Sequence, residues 1–225
     1  MIRVEAFGAT ALLITLAEQP DDRLPLRIAR LAERLRAELG VALADCVPGW
    51  TTLLLHYDLL RIDLPQLQLR VRAALAGWPD DSLADRAGRL HEIAVWYAGE
   101  DLAEVARLCG LTSAQVVDLH AGRDYRVGAI GFSPGFAYLG ELDERLALPR
   151  RATPRTHVPA GSLAIAERQT AVYPQASPGG WHLLGRTARR LFDPGQQPPC
   201  PLAVGDRVRF VPFDKAAYRA AGGEP

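Results

Sequence analysis

The absence of helical periodicity from Tyr125 onward is the feature that most constrains the fold. Short apolar segments alternate there with Gly and Pro, and Gly205-Asp206 suits a turn before a last strand over residues 207–211. Gly permits a positive φ, whereas Pro fixes φ and lacks the backbone N–H that a helix interior needs. The pattern therefore predicts an antiparallel β-barrel with two or three helices.

The first third of the chain alternates strand and helix patterns. Apolar residues recur at helical spacing from Leu24 to Leu39 behind Asp21 and Asp22, which can cap the helix, and Gly40 is expected to end it in a left-handed conformation. A second helix is predicted behind Asp63, and the predicted strands span residues 3–7, 11–16, 41–47 and 51–57. This content predicts a small α+β unit of the ferredoxin-like type.

Turn formers and like charges interrupt the pattern after Trp78, so we expect a domain boundary there. The predicted domains are residues 1–84, the α+β unit, and residues 85–225, the barrel. The second domain begins with an alternating strand over residues 91–97. Two capping boxes, Asp101 with Glu104 and Thr112 with Gln115, predict its helices, and Cys109 is expected in the apolar stripe of the first.

Charge and composition exclude several classes of function. The 225 residues carry 26 basic and 26 acidic side chains, so the clustered positive charge of a nucleic-acid or membrane-surface protein is not expected. The one lysine, Lys215, rules out a Gly-x-x-x-x-Gly-Lys phosphate loop. Without a signal sequence or a long apolar run, the protein is expected in the cytoplasm.

Cysteine and histidine spacing gives no metal site. Cys46, Cys109 and Cys200 are isolated, as free thiols of a reducing compartment would be. The five histidines lack metal-ligand spacing. His120 and His157 are either structural or polar contacts at a site, and both interpretations stay open.

The segment from Gly131 to Thr187 combines Gly and Pro with aromatic residues and arginines, which favours stiff, shaped loops at a site. It also contains Gly-x-Ser-x-Gly, the nucleophile elbow of α/β-hydrolases, around Ser133. That interpretation fails because the oxyanion hole needs the N–H of the residue after the serine, and Pro134 has none.

Five arginines lie between residues 150 and 186, with Glu167 as the one acid among them. Guanidinium groups bind carboxylates and phosphates bidentately, so this surplus predicts anion recognition, with Arg155 as the best candidate. The alternative is that some of them pair with acids elsewhere, such as Asp143 and Glu144. A carboxylate pair for acid and base catalysis is missing from the segment, so a partner is expected to complete the active site.

A long composite motif in this sequence resembles one known family, which contains the B subunit of 5-oxoprolinase, allophanate hydrolase subunit 1 and the KipI-type histidine kinase inhibitors. The resemblance covers nearly the whole chain and is carried by the following segments: Gly131-Phe132-x-Pro134-Gly135-Phe136-x-Tyr138-Leu139, Pro149-Arg150-Arg151-x-x-Pro154-Arg155, Val158-Pro159-Ala160-Gly161-Ser162 and Tyr173-Pro174-x-x-Ser177-Pro178-Gly179-Gly180-Trp181-x-x-x-Gly185-Arg186-Thr187. It includes Tyr97-x-Gly99-x-Asp101-Leu102 and the closing Gly205-Asp206-x-Val208-x-Phe210.

The resemblance implies a ferredoxin-like domain followed by a cyclophilin-like β-barrel of carboxyltransferase type. It implies the B subunit of an ATP-dependent 5-oxoprolinase, which cleaves 5-oxoproline to glutamate together with the A and C subunits of that enzyme. The chain alone is then expected to be inactive and to bind no cofactor, while the assembled complex uses ATP.

Three other functions stay open at this stage. A KipI-type protein inhibits a sensor histidine kinase, for which an apolar patch of Phe132, Phe136 and Tyr138 could serve. Subunit 1 of an allophanate or urea-type amide hydrolase is a second alternative. The third alternative, a prolyl isomerase, is based on the analogy of fold alone, which is a poor basis for assigning a function.

The candidate site residues lie in the segment from Gly131 to Thr187, except His120, which is at a helix end before it. Arg155 is predicted as an anion clamp and Arg186 as a second anion contact. The predicted polar contacts are Ser162, Gln169 and His120, the apolar wall is Tyr173 and Trp181, and the residues that shape the loops are Pro134, Gly135, Pro178, Gly179 and Gly180.

Overall fold

The chain consists of two compact units, Met1–Gly88 and Arg89–Pro225. A computed structural model describes residues 2–21, 23–78 and 88–223. One hydrophobic core lies within the first unit and two apolar clusters lie within the second. The predicted boundary between residues 84 and 85 and the predicted cap Asp22 lie outside the described residues, so both stay predictions.

The first unit is a four-stranded antiparallel sheet with two helices. The strands lie in the order β1-β2-β4-β3, and the elements follow one another as ββαββα. This sequence of elements differs from the βαββαβ order of a ferredoxin-like unit. The elements are β1 (Arg3–Ala6), β2 (Ala11–Thr15), α1 (Leu24–Leu39), β3 (Leu43–Pro48), β4 (Thr52–Tyr57) and α2 (Leu64–Leu75).

Both helices form as the sequence predicts. The Asp21 carboxylate accepts hydrogen bonds from the backbone N–H groups of Arg23, just before α1, and of Leu24, its first residue. Asp63 caps α2 by accepting from the N–H of Gln66. The apolar stripe of α1 is buried against the sheet. Gly40 ends α1 with φ 51° and ψ −127°, so its φ is positive as predicted but its ψ lies outside the left-handed helical region.

The second unit is built around a seven-stranded sheet in the order β12-β9-β10-β7-β6-β13-β5. A separate ribbon pairs β11 with β8. The elements are β5 (Leu90–Val95), α3 (Leu102–Cys109), α4 (Ser113–Ala121), β6 (Asp124–Ile130), β7 (Ala137–Gly140), β8 (Arg155–Val158), β9 (Ser162–Ala166), β10 (Gln169–Val172), β11 (Ser177–Gly179), β12 (His182–Arg186), β13 (Arg207–Pro212) and α5 (Lys215–Ala220).

The two edges of this sheet meet beyond β5. Trp96 and Arg186 exchange backbone hydrogen bonds of 2.8 and 2.9 Å, which joins the β5 edge to the β12 edge. Two glycines permit this approach: a Cβ on Gly99 would collide with the carbonyl of Leu183, and one on Gly185 would lie 2.6 Å from the Trp96 oxygen. The sheet is therefore a nearly closed barrel, and we call the junction of Trp96 with Arg186 the barrel seam. The prediction of an antiparallel barrel is wrong at one position, because β5 pairs with β13 in parallel.

Of the two capping boxes predicted for the second unit, one forms and the other does not. Thr112 and Gln115 form the predicted capping box of α4. Asp101, in contrast, makes no capping hydrogen bond to α3. The short helix α5, capped by Asp214, was missed because six residues carry too little periodicity to be recognised. No helix in the described part of the chain is long and apolar enough to cross a membrane.

Candidate functional site

Two adjoining cavities of the second unit share Arg186, the last residue of β12. The smaller, about 180 Å³, lies at the barrel seam, and we call it the seam cavity. The larger, about 410 Å³, is the arginine cleft, because Arg186, Arg189 and Arg190 line it and no acidic residue does so in the described part of the chain. The seam cavity is lined by Trp96, Ala98, Gly99, Glu100, Ser162, Leu183, Gly185 and Arg186.

Ser162 is the buried polar group of the seam cavity. It is the first residue of β9 and pairs across the sheet with Arg186. Only 1% of the residue is exposed, and its Oγ has no hydrogen-bond partner among the described residues. A buried hydroxyl without a partner costs about 1–3 kcal/mol, so Oγ is an available donor and acceptor for a molecule in the cavity.

Backbone and histidine contacts hold Arg189 at the arginine cleft. Its Nη1 donates to the carbonyl of Glu92 at 2.7 Å, and its Nη2 lies 3.4 Å from Nδ1 of His91. The other ring nitrogen of His91 lies 3.0 Å from the Asp206 carboxylate. Because the guanidinium can only donate, Nδ1 is the acceptor and Nε2–H donates to Asp206. The side chain of Arg189 is thereby fixed in orientation.

Arg155 is held by a carboxylate. Its Nη1 and Nη2 donate to the two oxygens of Asp101 at 2.9 and 2.8 Å, and its Nε donates to Glu100 at 3.2 Å. Asp101 also accepts from Arg151 at 2.8 Å and from the N–H of Leu183 at 2.7 Å. The guanidinium of Arg155 is thus oriented and its charge is offset inside the protein. Its role as an anion clamp stays a prediction.

The buried Asp101 carboxylate is ionised by these contacts. Burial by itself raises the pKa of Asp101, but the hydrogen bonds from Arg155 and from the N–H of Leu183 outweigh it, and the pKa is lowered. The hydrogen bond between Arg155 and Asp101 also raises the pKa of Arg155. The capping-box pattern drew attention to Asp101 but assigned it the wrong partners, because the arginines that bind it lie some fifty residues further along the chain.

The positive surplus between residues 150 and 186 is largely offset by acids from outside that segment. Arg168 pairs with Glu141 at 2.7 Å and with Glu144 at 3.0 Å, so the alternative interpretation is confirmed for Glu144. Asp143 instead binds Arg145. Two further arginines bind Asp101, as described above. The arginine count alone therefore overstated the charge available to a ligand.

Tyr173 and Trp181, the predicted apolar wall, are packed in an aromatic cluster. Both contact Phe136 edge to face, with ring centroids 5.3 and 5.8 Å apart, and both are nearly fully buried. Phe132 is different: it is 65% exposed, has φ 71° and stacks on the edge of Phe136. Of the predicted apolar patch, Phe132 therefore offers the most surface, whereas Phe136 belongs to the core.

Among the predicted loop-shaping residues, Gly135 and Gly179 approach neighbouring groups closely. Gly135 has φ 80°, and its Cα lies against the backbone of Leu191, where a Cβ would collide. Gly179 in β11 lies against the Tyr173 ring in the same way, and Pro178 precedes it in that strand. Pro134 lies in the turn before β7. Gly180 accepts a hydrogen bond from the N–H of Arg151.

His120 is part of a buried hydrogen-bond chain. Its Nδ1 lies 2.8 Å from the Tyr97 hydroxyl and its Nε2 lies 2.9 Å from Oγ1 of Thr170, which itself donates to the carbonyl of Ala164. The Thr170 oxygen therefore accepts from Nε2–H, and Nδ1 accepts from Tyr97. Burial lowers the pKa of His120 to about 3, so the ring is neutral.

The predicted site residues thus separate into groups. Ser162 and Arg186 lie together at the seam cavity, Tyr173 and Trp181 in the aromatic cluster, and Arg155 beside Asp101. His120 and Gln169 line neither cavity. All three cysteines are free, and the described residues contain no group of three or more His, Cys, Asp or Glu side chains that could hold a metal.

Comparison with known proteins gives a consistent result. Residues 2–202 match the carboxyltransferase domain family, subdomains C and D. The chain is 36% identical over 231 residues to the 5-oxoprolinase B subunit of Bacillus subtilis (strain 168), covering 97% of this chain and 95% of that protein. It is 42% identical over 216 residues to the 5-oxoprolinase B subunit of Escherichia coli O157:H7, covering 93% of this chain and 95% of that protein.

Solved structures resemble it as well. TTHA0988 is 39% identical with a TM-score of 0.81 over 95% of this chain, which spans 40% of that longer protein. The Kluyveromyces lactis urea amidolyase gives a TM-score of 0.72 at 18% identity, covering 97% of this chain and 15% of that protein. The second likeness concerns the fold alone.

Proposed function

The chain belongs to the carboxyltransferase domain family of subdomains C and D, and from this membership we propose that it is the B subunit of an ATP-dependent 5-oxoprolinase. One observation carries the proposal: two proteins named as the B subunit of 5-oxoprolinase match it at 36% and 42% identity over more than nine-tenths of each chain. The match includes both compact units, so it concerns the whole subunit.

The chemistry of the substrate agrees with the two cavities. Opening the lactam of 5-oxoproline breaks its amide C–N bond by addition of water, while ATP hydrolysis drives the reaction. The substrate carries a carboxylate, and arginines bind that group well. The arginine cleft supplies Arg189 and Arg190 beside Arg186, and the Ser162 hydroxyl adds a neutral hydrogen-bonding group.

We propose that the chain is inactive alone and acts with the A and C subunits of 5-oxoprolinase. Among the described residues, Glu100 is the one carboxylate that lines the seam cavity, and hydrolysis of an amide calls for a general base and a general acid in reach of one bond. The sequence has no phosphate-binding loop, so ATP is expected to bind elsewhere in the complex. The cytoplasmic location stays a prediction.

The finer fold classification is also a proposal. Moving the last strand of a βαββαβ unit to its start gives ββαββα, so we interpret the first unit as a permuted ferredoxin-like fold. We interpret the seven-stranded barrel of the second unit as cyclophilin-like. Both assignments rest on the order of the elements and on the resemblance in sequence.

Reconstitution tests the proposed function. The chain is combined with its cognate A and C subunits, and ATP-dependent conversion of 5-oxoproline to glutamate is measured with and without it. We expect turnover only when all three are present, and none from the chain alone. Equal turnover without the chain, in a mixture whose assembly is verified by size-exclusion chromatography, would show that it is not the B subunit.

A further inference from the structure

We propose that the seam cavity is a binding subsite for a small carboxylic acid that also carries an amide, with the Ser162 hydroxyl as hydrogen-bond partner of the amide. The inference rests on the proposed function, because the substrate named there is such a molecule. It goes further by assigning the subsite to the barrel seam of this chain and its polar contact to one side chain.

Ser162 is exceptional among the buried hydroxyl groups. Thr170 donates to the carbonyl of Ala164, and Oγ1 of Thr187 accepts from the N–H of Arg189. In the described part of the chain, Ser162 is the one buried serine, threonine or tyrosine whose oxygen has no hydrogen-bond partner. Buried polar groups are nearly always satisfied, so a group from outside the chain is expected to complete this one.

The walls of the cavity are rigid and make it small. The reciprocal backbone hydrogen bonds of Trp96 and Arg186 fix one side, and the backbone N–H of Gly99 donates to the carbonyl of Leu184 at 3.0 Å. The cavity, about 180 Å³, is far larger than the ~15 Å³ that one water needs. It is smaller than the ~300–1,000 Å³ of sites for drug-sized ligands. A molecule of amino-acid size fits this range.

The charges around the cavity favour an acid. Arg186 lines it and borders the arginine cleft. Glu100 is the one acid among its described lining residues, and it is paired with Arg155 at 3.1 Å, so its negative charge is offset. Trp96 and Leu183 supply apolar surface for a ring. Together these groups suit a compact molecule with one anionic end and one neutral polar group.

Titration calorimetry on the full chain, with three ligands, tests the assignment. The ligands are 5-oxoproline, 2-pyrrolidinone, which lacks the carboxylate, and cyclopentanecarboxylate, which lacks the amide. We expect 5-oxoproline to bind at least tenfold more tightly than either analogue. Ser162→Ala is expected to weaken 5-oxoproline about tenfold and to leave cyclopentanecarboxylate unchanged, because one hydrogen bond to the amide is lost.

Ser177→Ala is the matched control, because its hydroxyl donates to the neighbouring carbonyl of Pro178 at 3.3 Å and Ser177 is not among the described residues that line either cavity. It should bind all three ligands as the parent chain does. Ser162→Ala should not lower the melting temperature, since its hydroxyl has no partner in the protein. A lowered melting temperature with unchanged affinities would indicate a structural role and overturn the assignment.

The reconstituted complex separates the two proposals. If turnover requires the chain but Ser162→Ala changes neither the KM for 5-oxoproline nor the dissociation constant of the chain, the subsite is wrong and the proposed function stands. If the chain binds 5-oxoproline through Ser162 but turnover does not require it, the proposed function is wrong and the subsite stands. Absence of both effects overturns both.

Discussion

Asp101 organises the charged residues beside the seam cavity. Its carboxylate is 6% exposed and receives hydrogen bonds from Arg151, Arg155 and the backbone N–H of Leu183. These contacts connect the start of α3 to β8 and β12. A single carboxylate thereby fixes the positions of two guanidinium groups that the composition of the segment had suggested were free for a ligand.

Asp101→Asn is expected to destabilise the second unit by about 2–4 kcal/mol, because it leaves two partly buried guanidinium groups without their carboxylate. Urea denaturation at pH 7 measures the change. Glu104→Gln is the control, since its pair with Arg107 is exposed to solvent and the substitution should leave the stability nearly unchanged. A loss below about 1 kcal/mol in Asp101→Asn would show that Arg151 and Arg155 do not depend on it.

His120 gives the protein a specific dependence on pH. Its folded-state pKa, about 3, lies below the unfolded value of about 6.5, so the unfolded chain binds the extra proton. The stability that the neutral His120 ring allows is fully present above pH 6.5, and it is lost as the pH falls from 6.5 towards 3. We expect the chain to be about 2 kcal/mol less stable at pH 5 than at pH 8 from this group.

Urea unfolding at several pH values measures how the free energy of unfolding changes with pH. Nitrogen NMR of the imidazole tests whether His120 causes that change. The His120 ring should stay neutral, with its proton on Nε2, down to pH 4. A ring that titrates near 6.5 would contradict the buried hydrogen-bond chain.

At the scale of elements, the barrel depends on the approach of its two edge strands. The junction of Trp96 with Arg186 is an isolated bridge, and the sheet closes there only because Gly99 and Gly185 lack side chains. The same junction forms the wall of the seam cavity. The contacts that close the sheet therefore also form the candidate site.

Gly185→Ala is expected to destabilise the second unit by about 2–4 kcal/mol, because the added Cβ would lie 2.6 Å from the carbonyl oxygen of Trp96 and overpack the seam. Gly131→Ala is the control, since its Cβ would meet no atom within 4 Å and its φ is not positive. Thermal unfolding followed by circular dichroism should give Gly131→Ala a free energy of unfolding within about 1 kcal/mol of that of the parent chain. Equal stability of both variants would refute the close approach.

At the scale of the whole molecule, each unit has its own core. The core of the first unit contains Leu35 of α1 and the inner face of its sheet, and that of the second contains Val127 and Phe210. No described residue belongs to both clusters. Separate cores allow the units to respond separately to a change in packing.

Leu35→Ala should destabilise the first unit by about 3 kcal/mol, since it removes a fully buried side chain. Hydrogen exchange followed by mass spectrometry should show reduced protection within residues 2–78 and unchanged protection within residues 89–223. Leu60→Ala is the control, because Leu60 is 96% exposed and should change stability by less than ~0.5 kcal/mol. Equal loss of protection in both units would mean that they unfold cooperatively.

The sequence by itself determined most of the local structure. The stripe from Leu24 to Leu39, the caps Asp21 and Asp63 and the capping box of Thr112 are short-range features, so periodicity and side-chain chemistry sufficed to place these helices. The Gly and Pro content after Tyr125 likewise determined that the second unit is built of strands. The composite motif pointed to the family.

Only the tertiary structure decided which side chains meet. Asp101 looked like a helix cap because its arginine partners are distant in sequence, and Ser162 could not be distinguished from other serines until its burial without a partner was visible. Ser162 lies beside Arg186 because β9 pairs with β12, and closure of the barrel adds Glu100 to the same cavity. Both depend on strand order rather than on any local pattern. The physical reason is that ion pairing and burial depend on distances in space, which spacing along the chain does not fix.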